Sequence, residues 1–301
     1  MTLNELRYVI AVAQERNFRR AAEKSFISQP ALSLAIQKLE EELGVQIFER
    51  GKSKISVTPI GVKIIEQAQR AIEEAGRIYE IAKQGNDQLV GALRVGIIYS
   101  VGPYLLPDLI PALKKLAPNM PLEVEENITA HLDTLLRNGK LDVIIIALPY
   151  ADTGILTQAL YDEPFEVVVN NDHHWAGRRS IKAQELATEK VLLLDSGHCF
   201  SNQVAEACPD LNRKGAETQQ GTSLETIRNM VASGLGITVL PISANSPRYR
   251  NRLLKVIPFA KPVPARRIAL AWRKSFARNQ AIAVLAQAIL RADIYGITPL
   301  A

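Results

Sequence analysis

The stretch that most constrains this chain is its first 44 residues, where apolar positions recur at helical spacing three times with little room between. Leu3, Leu6, Ile10 and Ala13 share one face, which predicts an amphipathic helix over 3–15. A short second helix is expected over 18–24, where Ala21 and Ala22 are small enough for close packing. Phe26-Ile27 turns the chain, Ser28 reads as an N-cap, and Pro30 falls in the first turn of a third helix. That helix runs to Leu43 and ends at Gly44 in the C′ position. Short helix, tight turn, longer helix is the helix-turn-helix arrangement.

The third helix has two characters. Leu32, Ile36, Leu39 and Leu43 form an apolar stripe, while Gln29, Ser33 and Gln37 form a polar stripe nearly opposite. Short amides and hydroxyls on a helix suit base edges and phosphates in a major groove. Residues 48–58 then read as two short strands around a basic hairpin, a wing, with Arg50, Lys52 and Lys54 facing phosphate or the minor groove. Charge alone does not make this case. The net charge is +5, and residues 1–58 carry nine Lys/Arg against seven Asp/Glu. The expectation of DNA binding rests on the motif.

Residues 59–83 predict one long helix. Gly61, Ile65, Ala68, Ile72, Ala75, Tyr79 and Ala82 alternate four-three spacing, a coiled-coil seam that reads as a dimerisation helix. A linker helix lying on its own domain is the other reading of that spacing. Gln84-Gly85-Asn86-Asp87 breaks the helix. From Ala92 onward strand and helix patterns alternate, which predicts an α/β domain with a mainly parallel sheet. Glu163-Pro164 and Lys261-Pro262-Val263-Pro264 look like crossings between two subdomains. There is no apolar run near the ~20 residues of a membrane span and no signal-peptide pattern, so a reducing cytoplasm is expected. Any disulfide there is expected to be transient or redox-sensing.

Both cysteines, Cys199 and Cys208, lie within ten residues of each other. A free cysteine is often a small buried hydrophobe. Here Cys199 follows the polar turn Asp195-Ser196-Gly197-His198, which places it at an expected helix N-terminus, where the dipole favours a thiolate. If 200–207 is helical, the two thiols are separated by roughly 13 Å of rise. A disulfide needs Cα atoms within about 7 Å, so the segment must unwind for them to join. Ser201, Asn202 and Val204 are indifferent helix formers and Pro209 stops the helix, so marginal helicity is expected.

Several motifs together resemble a known family. Arg19-Arg20-Ala21-Ala22, Ser28-Gln29-Pro30-Ala31-Leu32-Ser33, Phe48-Glu49-Arg50 and Thr58-Pro59-Ile60-Gly61 are similar to the winged helix-turn-helix of LysR-type transcriptional regulators. Within that family, Val101-Gly102-Pro103-Tyr104-Leu105-Leu106-Pro107, Gly197-His198-Cys199 with Cys208, and Gln220-Gly221-Thr222-Ser223-Leu224-Glu225-Thr226 resemble the peroxide-sensing OxyR subfamily. The resemblance spans the chain. It implies a winged helix-turn-helix over 1–58 and a linker and dimerisation helix over 59–90. It further implies a periplasmic-binding-protein-like α/β regulatory domain of two Rossmann-like subdomains over 91–301. Subdomain I would comprise about 91–163 and 268–301, and subdomain II about 164–267.

The resemblance also implies roles. Cys199 would be oxidised by hydrogen peroxide to a sulfenic acid, and Cys208 would resolve it to a Cys199–Cys208 disulfide. His198, Ser100 and Thr129 would supply hydrogen bonds to the departing oxygen, and Arg266 would support the thiolate. Position 100 is usually Thr in such sequences and is Ser here. DNA contact would come from 18–37, with Gln29, Pro30, Ser33, Gln37, Arg50 and Lys52. The implied partners are double-stranded promoter DNA, RNA polymerase, hydrogen peroxide, other copies of the chain as dimer or tetramer, and a cellular thiol reductant. No cofactor, metal, membrane or enzymatic turnover is implied. A zinc site built from the cysteines and His198 lacks a CxxC pair and a fourth ligand, though His173 and His174 exist elsewhere. Two other readings stay open at this point: a LysR-type regulator answering to a small metabolite, and a thiol peroxidase using Cys199.

Overall fold

The computed structural model describes residues 1–50, 55–84, 87–150, 153–195, 197–212 and 218–300. Two compact units are present, one from Met1–Asn86 and one from Asp87–Leu136 with Lys140–Ala301.

The first unit opens with helices α1 (Leu3–Glu15), α2 (Phe18–Lys24) and α3 (Gln29–Leu43). Each start is capped by its own sequence. Thr2 and Glu5 form a reciprocal capping box on α1, Asn17 accepts from the Arg20 amide, and Ser28 accepts from the Ala31 amide. Gly44 ends α3 at φ +69°, a left-handed conformation natural to glycine. Leu6, Val9, Val12, Ala21, Ala22, Leu32, Ile36 and Leu39 close over one another as the core. Strands β1 (Phe48–Arg50) and β2 (Ile55–Val57) form the wing hairpin, pairing Phe48 with Val57 and Arg50 with Ile55. Glu40 on α3 accepts from the amides of Ile47 and Phe48 at 2.7 and 3.0 Å, which fixes where the wing begins. Lys52 and Lys54 lie outside the described residues, as does the side chain of Arg50.

Helix α4 (Pro59–Gln84) follows directly. Its expected seam between subunits needs correction in the first half. Ile65 and Ala68 are buried in the unit's own core, and α4 packs on α1. A Cβ on Gly61 would lie 2.3 Å from the Ile47 carbonyl oxygen, so glycine is required for that approach. The reason is burial: an apolar stripe next to an incomplete three-helix core covers that core first. The side chains of Tyr79 and Ala82 lie outside the description, and so does Gly85-Asn86 of the expected linker.

The second unit runs β3 (Leu93–Ile98), α5 (Gly102–Leu116), β4 (Leu122–Asn127), α6 (Thr129–Arg137) and β5 (Val143–Leu148). It continues with β6 (Ile155–Asn170), β7 (Val191–Leu194), α7 (Cys199–Ala207), β8 (Thr218–Gly221), α8 (Leu224–Ala232) and β9 (Ile237–Pro241). It ends with β10 (Leu254–Pro258), β11 (Ala265–Arg273), α9 (Asn279–Arg291) and β12 (Thr298–Pro299). The strand order is β4-β3-β5-β11-β6-β9-β7-β8, with β10 and β12 also on β6. The expected mainly parallel sheet is in fact mixed. β4-β3-β5 and β9-β7-β8 are parallel triples, as in two Rossmann-like halves, but β6 and β11 run antiparallel to their neighbours.

β6 does not break at Glu163-Pro164. Proline lacks the N–H a ladder uses, and at Pro164 the strand exchanges partners, from β11 on the residues before to β9 from Phe165 on. A Pro is tolerated where the pairing changes hands. Two hydrophobic cores result. One gathers β3, β5, α5, α6 and α9 around Ile97, Leu109, Ile145 and Leu285. The other gathers β7, β9, α7 and α8 around Phe165, Leu192, Val204 and Ile227.

Candidate functional site

The carboxyl ends of parallel strands are where ligand crevices form in α/β sheets. Three such ends meet here. Beyond β3 lie Tyr99 and Ser100, beyond β4 lie Ile128 and Thr129, and beyond β7 lie Gly197, His198 and Cys199. The rings of Tyr99 and His198 are 5.6 Å apart. Gly197 comes within a side-chain contact distance of Ile128, 4.0 Å from an ideal Cβ. Arg266 of β11 donates from Nη1 to Ser100 Oγ at 2.7 Å and stands 5.0 Å over the Phe200 ring. Ser100 and His198 thus sit on loops, Thr129 and Cys199 at the helix starts that follow such loops, and Arg266 on the strand whose guanidinium holds Ser100.

Cys199 is the first residue of α7 and is half-buried against the first core. The Ser201 hydroxyl donates to the Leu194 carbonyl at 2.5 Å, which pins the first turn of α7 to the end of β7. His198 is the N-cap residue, but its side chain makes no cap bond. Burial pushes its imidazole pKa down, partly countered by Asp195, so the ring is neutral near pH 7. Cys208 caps the other end of α7, only 1 % exposed, within the second core. Burial, with Asp210 adding to it, pushes the Cys208 thiol up to about 11. Both cysteines are free. Nine helical steps separate their Cα atoms by roughly 13 Å. Helicity over Cys199–Ala207 is therefore the state that keeps them apart.

The hydroxyls differ in kind. Ser100 is buried; its Oγ and its carbonyl oxygen both accept from the Arg266 guanidinium, at 2.7 and 2.8 Å. The accepting Oγ still has its own proton to donate. Thr129 is the first residue of α6, and its buried Oγ1 has no hydrogen-bond partner, as is true of Glu126 Oε1 and Gln203 Oε1. Burial raises the Glu126 carboxyl pKa. Neither Ser100 nor Thr129 spends its hydroxyl on capping.

Arg266 is spoken for by protein groups. Nε donates to Glu163 Oε2 at 2.7 Å, both residues are buried, and the Ser243 hydroxyl donates to the same carboxylate. Its part is to hold Ser100 and to cover Phe200. Phe200, Tyr99 and Glu126 carry no signal of a site in the sequence, and Glu163 figures there only as part of a crossing. The signal for Glu163 was a carboxylate inside an apolar strand pattern, with an Arg in the facing strand. A cleft of about 780 Å³ opens beside α7, lined by Gln203, Glu206, Asp162, Arg266, Arg267 and Tyr150.

Elsewhere, Nε2 of His173 and Nε2 of His174 each lie 3.3 Å from the Glu189 carboxylate. Nδ1 of His173 accepts from the Trp175 amide, so Nε2 is the protonated nitrogen and donates to Glu189. A metal-bound imidazole has the reverse polarity, donating from its second nitrogen.

On α3, Gln29, Pro30 and Gln37 are exposed, and Ser33 is half-buried. Gln37 donates to Glu41 at 3.0 Å. At 100° per residue, Gln29, Ser33 and Gln37 stand roughly 50–130° around from the centre of the buried stripe, on its flank and not opposite it. Opposite it stand Leu34, 68 % exposed, and the exposed Glu41.

Two family models match the chain. Residues 3–62 match the bacterial regulatory helix-turn-helix protein, lysR family, and residues 86–293 match the LysR substrate binding domain. The DNA-binding transcriptional dual regulator OxyR of Escherichia coli is 38% identical over 289 residues, covering 96% of this chain and 95% of that one. Full-length OxyR from Pseudomonas aeruginosa, solved as a variant, is 50% identical, with TM-score 0.79 over 98% of this chain and 96% of that one. A Corynebacterium glutamicum OxyR mutant solved with hydrogen peroxide bound is 36% identical, with TM-score 0.66 over 96% and 92%. With a capped helix-turn-helix and wing in one unit and a two-core α/β fold in the other, the chain belongs to the LysR family of DNA-binding transcription regulators, in its OxyR branch.

Proposed function

We propose that this regulator senses hydrogen peroxide and controls oxidative-stress genes through a reversible Cys199–Cys208 disulfide. The observation that carries the reading is the unequal setting of two free thiols at opposite ends of one helix. Cys208 is sealed in a core with its pKa raised to about 11, so it stays protonated and unreactive while α7 is intact. Cys199 is half-buried at the helix start and is therefore the first to meet peroxide. Its thiolate attacks one peroxide oxygen, the O–O bond breaks, and the departing hydroxide takes a proton to leave as water. Ser100 and the unpartnered Thr129 hydroxyl supply hydrogen bonds to that departing oxygen, with neutral His198 beside them. The Cys208 thiol then attacks the sulfenic sulfur, a second water leaves, and the S–S bond forms. Closure requires α7 to unwind.

The output is DNA. Gln29, Pro30, Ser33, Gln37, Arg50 and Lys52 read the operator, and subunits pair through α4 in a dimer or tetramer. With Ile65 and Ala68 buried in the unit's own core and Ile72 packed against it, the pairing surface on α4 falls to Ala75 and the exposed Ile78. RNA polymerase is the further protein partner, a thiol reductant resets the disulfide, and the setting is the cytoplasm and its nucleoid. Among the described residues no helix is long and apolar enough to cross a membrane.

Thiol counting by mass spectrometry before and after a brief peroxide pulse tests this directly. One disulfide per chain and a changed footprint on promoter DNA are expected. If Cys199→Ser keeps the peroxide response of DNA binding, the reading fails. The cleft beside α7 supports a second reading, a small-molecule effector, which predicts a response that survives replacement of both cysteines.

A further inference from the structure

The helix-turn-helix presents two large apolar side chains that its own fold does not use. Phe26 is 95 % exposed and Leu34 is 68 % exposed. Leu34 stands opposite the buried Leu32–Ile36–Leu39 stripe of α3, flanked by the exposed Pro30, Gln37 and Lys38, with the exposed Glu41 about two turns on. Phe26 lies in the turn leading into α3 and holds φ +54°, a left-handed conformation that bulky side chains rarely adopt. The turn is fixed by the Phe26 amide donating to the Glu23 carbonyl at 3.2 Å and the Ile27 amide donating to the Ala22 carbonyl at 3.1 Å. Glycine or asparagine would suit that backbone better. The packed core therefore gains nothing from an aromatic at 26 or a leucine at 34.

The partner that a helix-turn-helix offers its third helix is DNA. In a helix-turn-helix the third helix enters the major groove with its N-terminal half toward the base edges, and Leu34 is its sixth residue. An apolar side chain cannot exchange hydrogen bonds with bases. The one apolar feature the major groove offers is the 5-methyl group of thymine. We propose that Leu34 and Phe26 are specificity-determining residues that read thymine methyl groups in the operator. The proposal rests on DNA reading by α3 and adds a chemical class of contact to the polar set.

The test uses the full chain. Its recognised duplex is first selected from a randomised library, and each thymine is then replaced by deoxyuridine, which removes the methyl and nothing else. Wild type should lose about threefold to fivefold in affinity at one or two major-groove positions, the worth of one buried methyl. Leu34→Ala should bind the thymine and uracil forms of one such position equally, and Phe26→Ala those of another. Phe26→Asn should raise Tm while losing the same discrimination. If wild type selects a sequence yet ignores every thymine-to-uracil change, the methyl reading is wrong and DNA reading by α3 stands. If no sequence is selected, the DNA reading itself falls and takes this proposal with it. If Leu34→Ala keeps the uracil penalty but sediments as a smaller assembly, the face pairs copies of the chain and the proposal is overturned.

Discussion

Thr129 carries a buried hydroxyl with no partner, at the N-terminal residue of a helix that it does not cap. A buried unpaired hydroxyl is destabilising, and replacing it by a methyl of the same shape removes that cost. Thr129→Val is expected to leave stability unchanged or raise it by about 1 kcal/mol, while slowing sulfenic acid formation about tenfold through loss of one donor. Urea unfolding and stopped-flow oxidation check the two halves separately. A loss of stability would mean that the hydroxyl is structural. Arg266 predicts the opposite pattern. Arg266→Met leaves Glu163 buried without its cation, and about 3–5 kcal/mol should be lost; Arg266→Met with Glu163→Gln should recover a good part of it, read from urea midpoints. His198 adds a pH dependence. Its folded pKa lies below the usual 6.5, so the unfolded chain binds the proton more readily. Stability present above 6.5 is then lost as pH falls through the window down to the folded pKa. His198→Gln should flatten that slope, measured as urea midpoints between about pH 5 and 8.

At the scale of elements, α7 is the part whose helicity decides the chemistry. Asn202 is exposed on it and is a poorer helix former than alanine by about 0.6 kcal/mol. Asn202→Ala should hold the dithiol form more firmly and shift the redox midpoint so that two- to threefold more oxidised reagent is needed for half closure, read by titration in thiol–disulfide buffers. The three N-terminal helices, the Ser28 cap and the Gly44 stop were legible because each is written in neighbouring residues. So were the placement of Cys199 at a helix start and the length of α7. What was not legible depends on residues far apart in the chain. Ser100 and Arg266 are 166 positions apart, and only the fold shows that the guanidinium claims the hydroxyl. Glu163-Pro164 reads as a crossing between subdomains, and only pairing shows that one strand makes it by passing from one partner to the next. Leu34 sat between two residues of interest and was passed over, because spacing says which residues share a face but not which face is left bare.

Across the whole second unit, the two thiols belong to different cores. Cys199 rests on the core of β3, β5 and α9, and Cys208 is packed inside the core of β7, β9 and α8. A disulfide cannot form by α7 unwinding in place, because Cys208 must also be withdrawn from its packing. Loosening that packing should therefore speed the second step and leave the first alone. Val204→Ala, a truncation at a fully buried site in the same core, should cost about 1–3 kcal/mol of stability and shorten the life of the sulfenic acid. Rapid-quench mass spectrometry of the sulfenic and disulfide forms would show it. Equal decay in the variant and wild type would place the barrier elsewhere.

The burial of Cys208 also gives the sensor a dependence on temperature. Attack of peroxide on Cys199 needs no opening, whereas release of Cys208 is a local unfolding event, and such events become steeply rarer on cooling. In the cold, the half-oxidised protein should accumulate, exposed to a second peroxide and to over-oxidation before Cys208 arrives. The same residue that keeps the switch silent at rest thus sets the lowest temperature at which it can close in time.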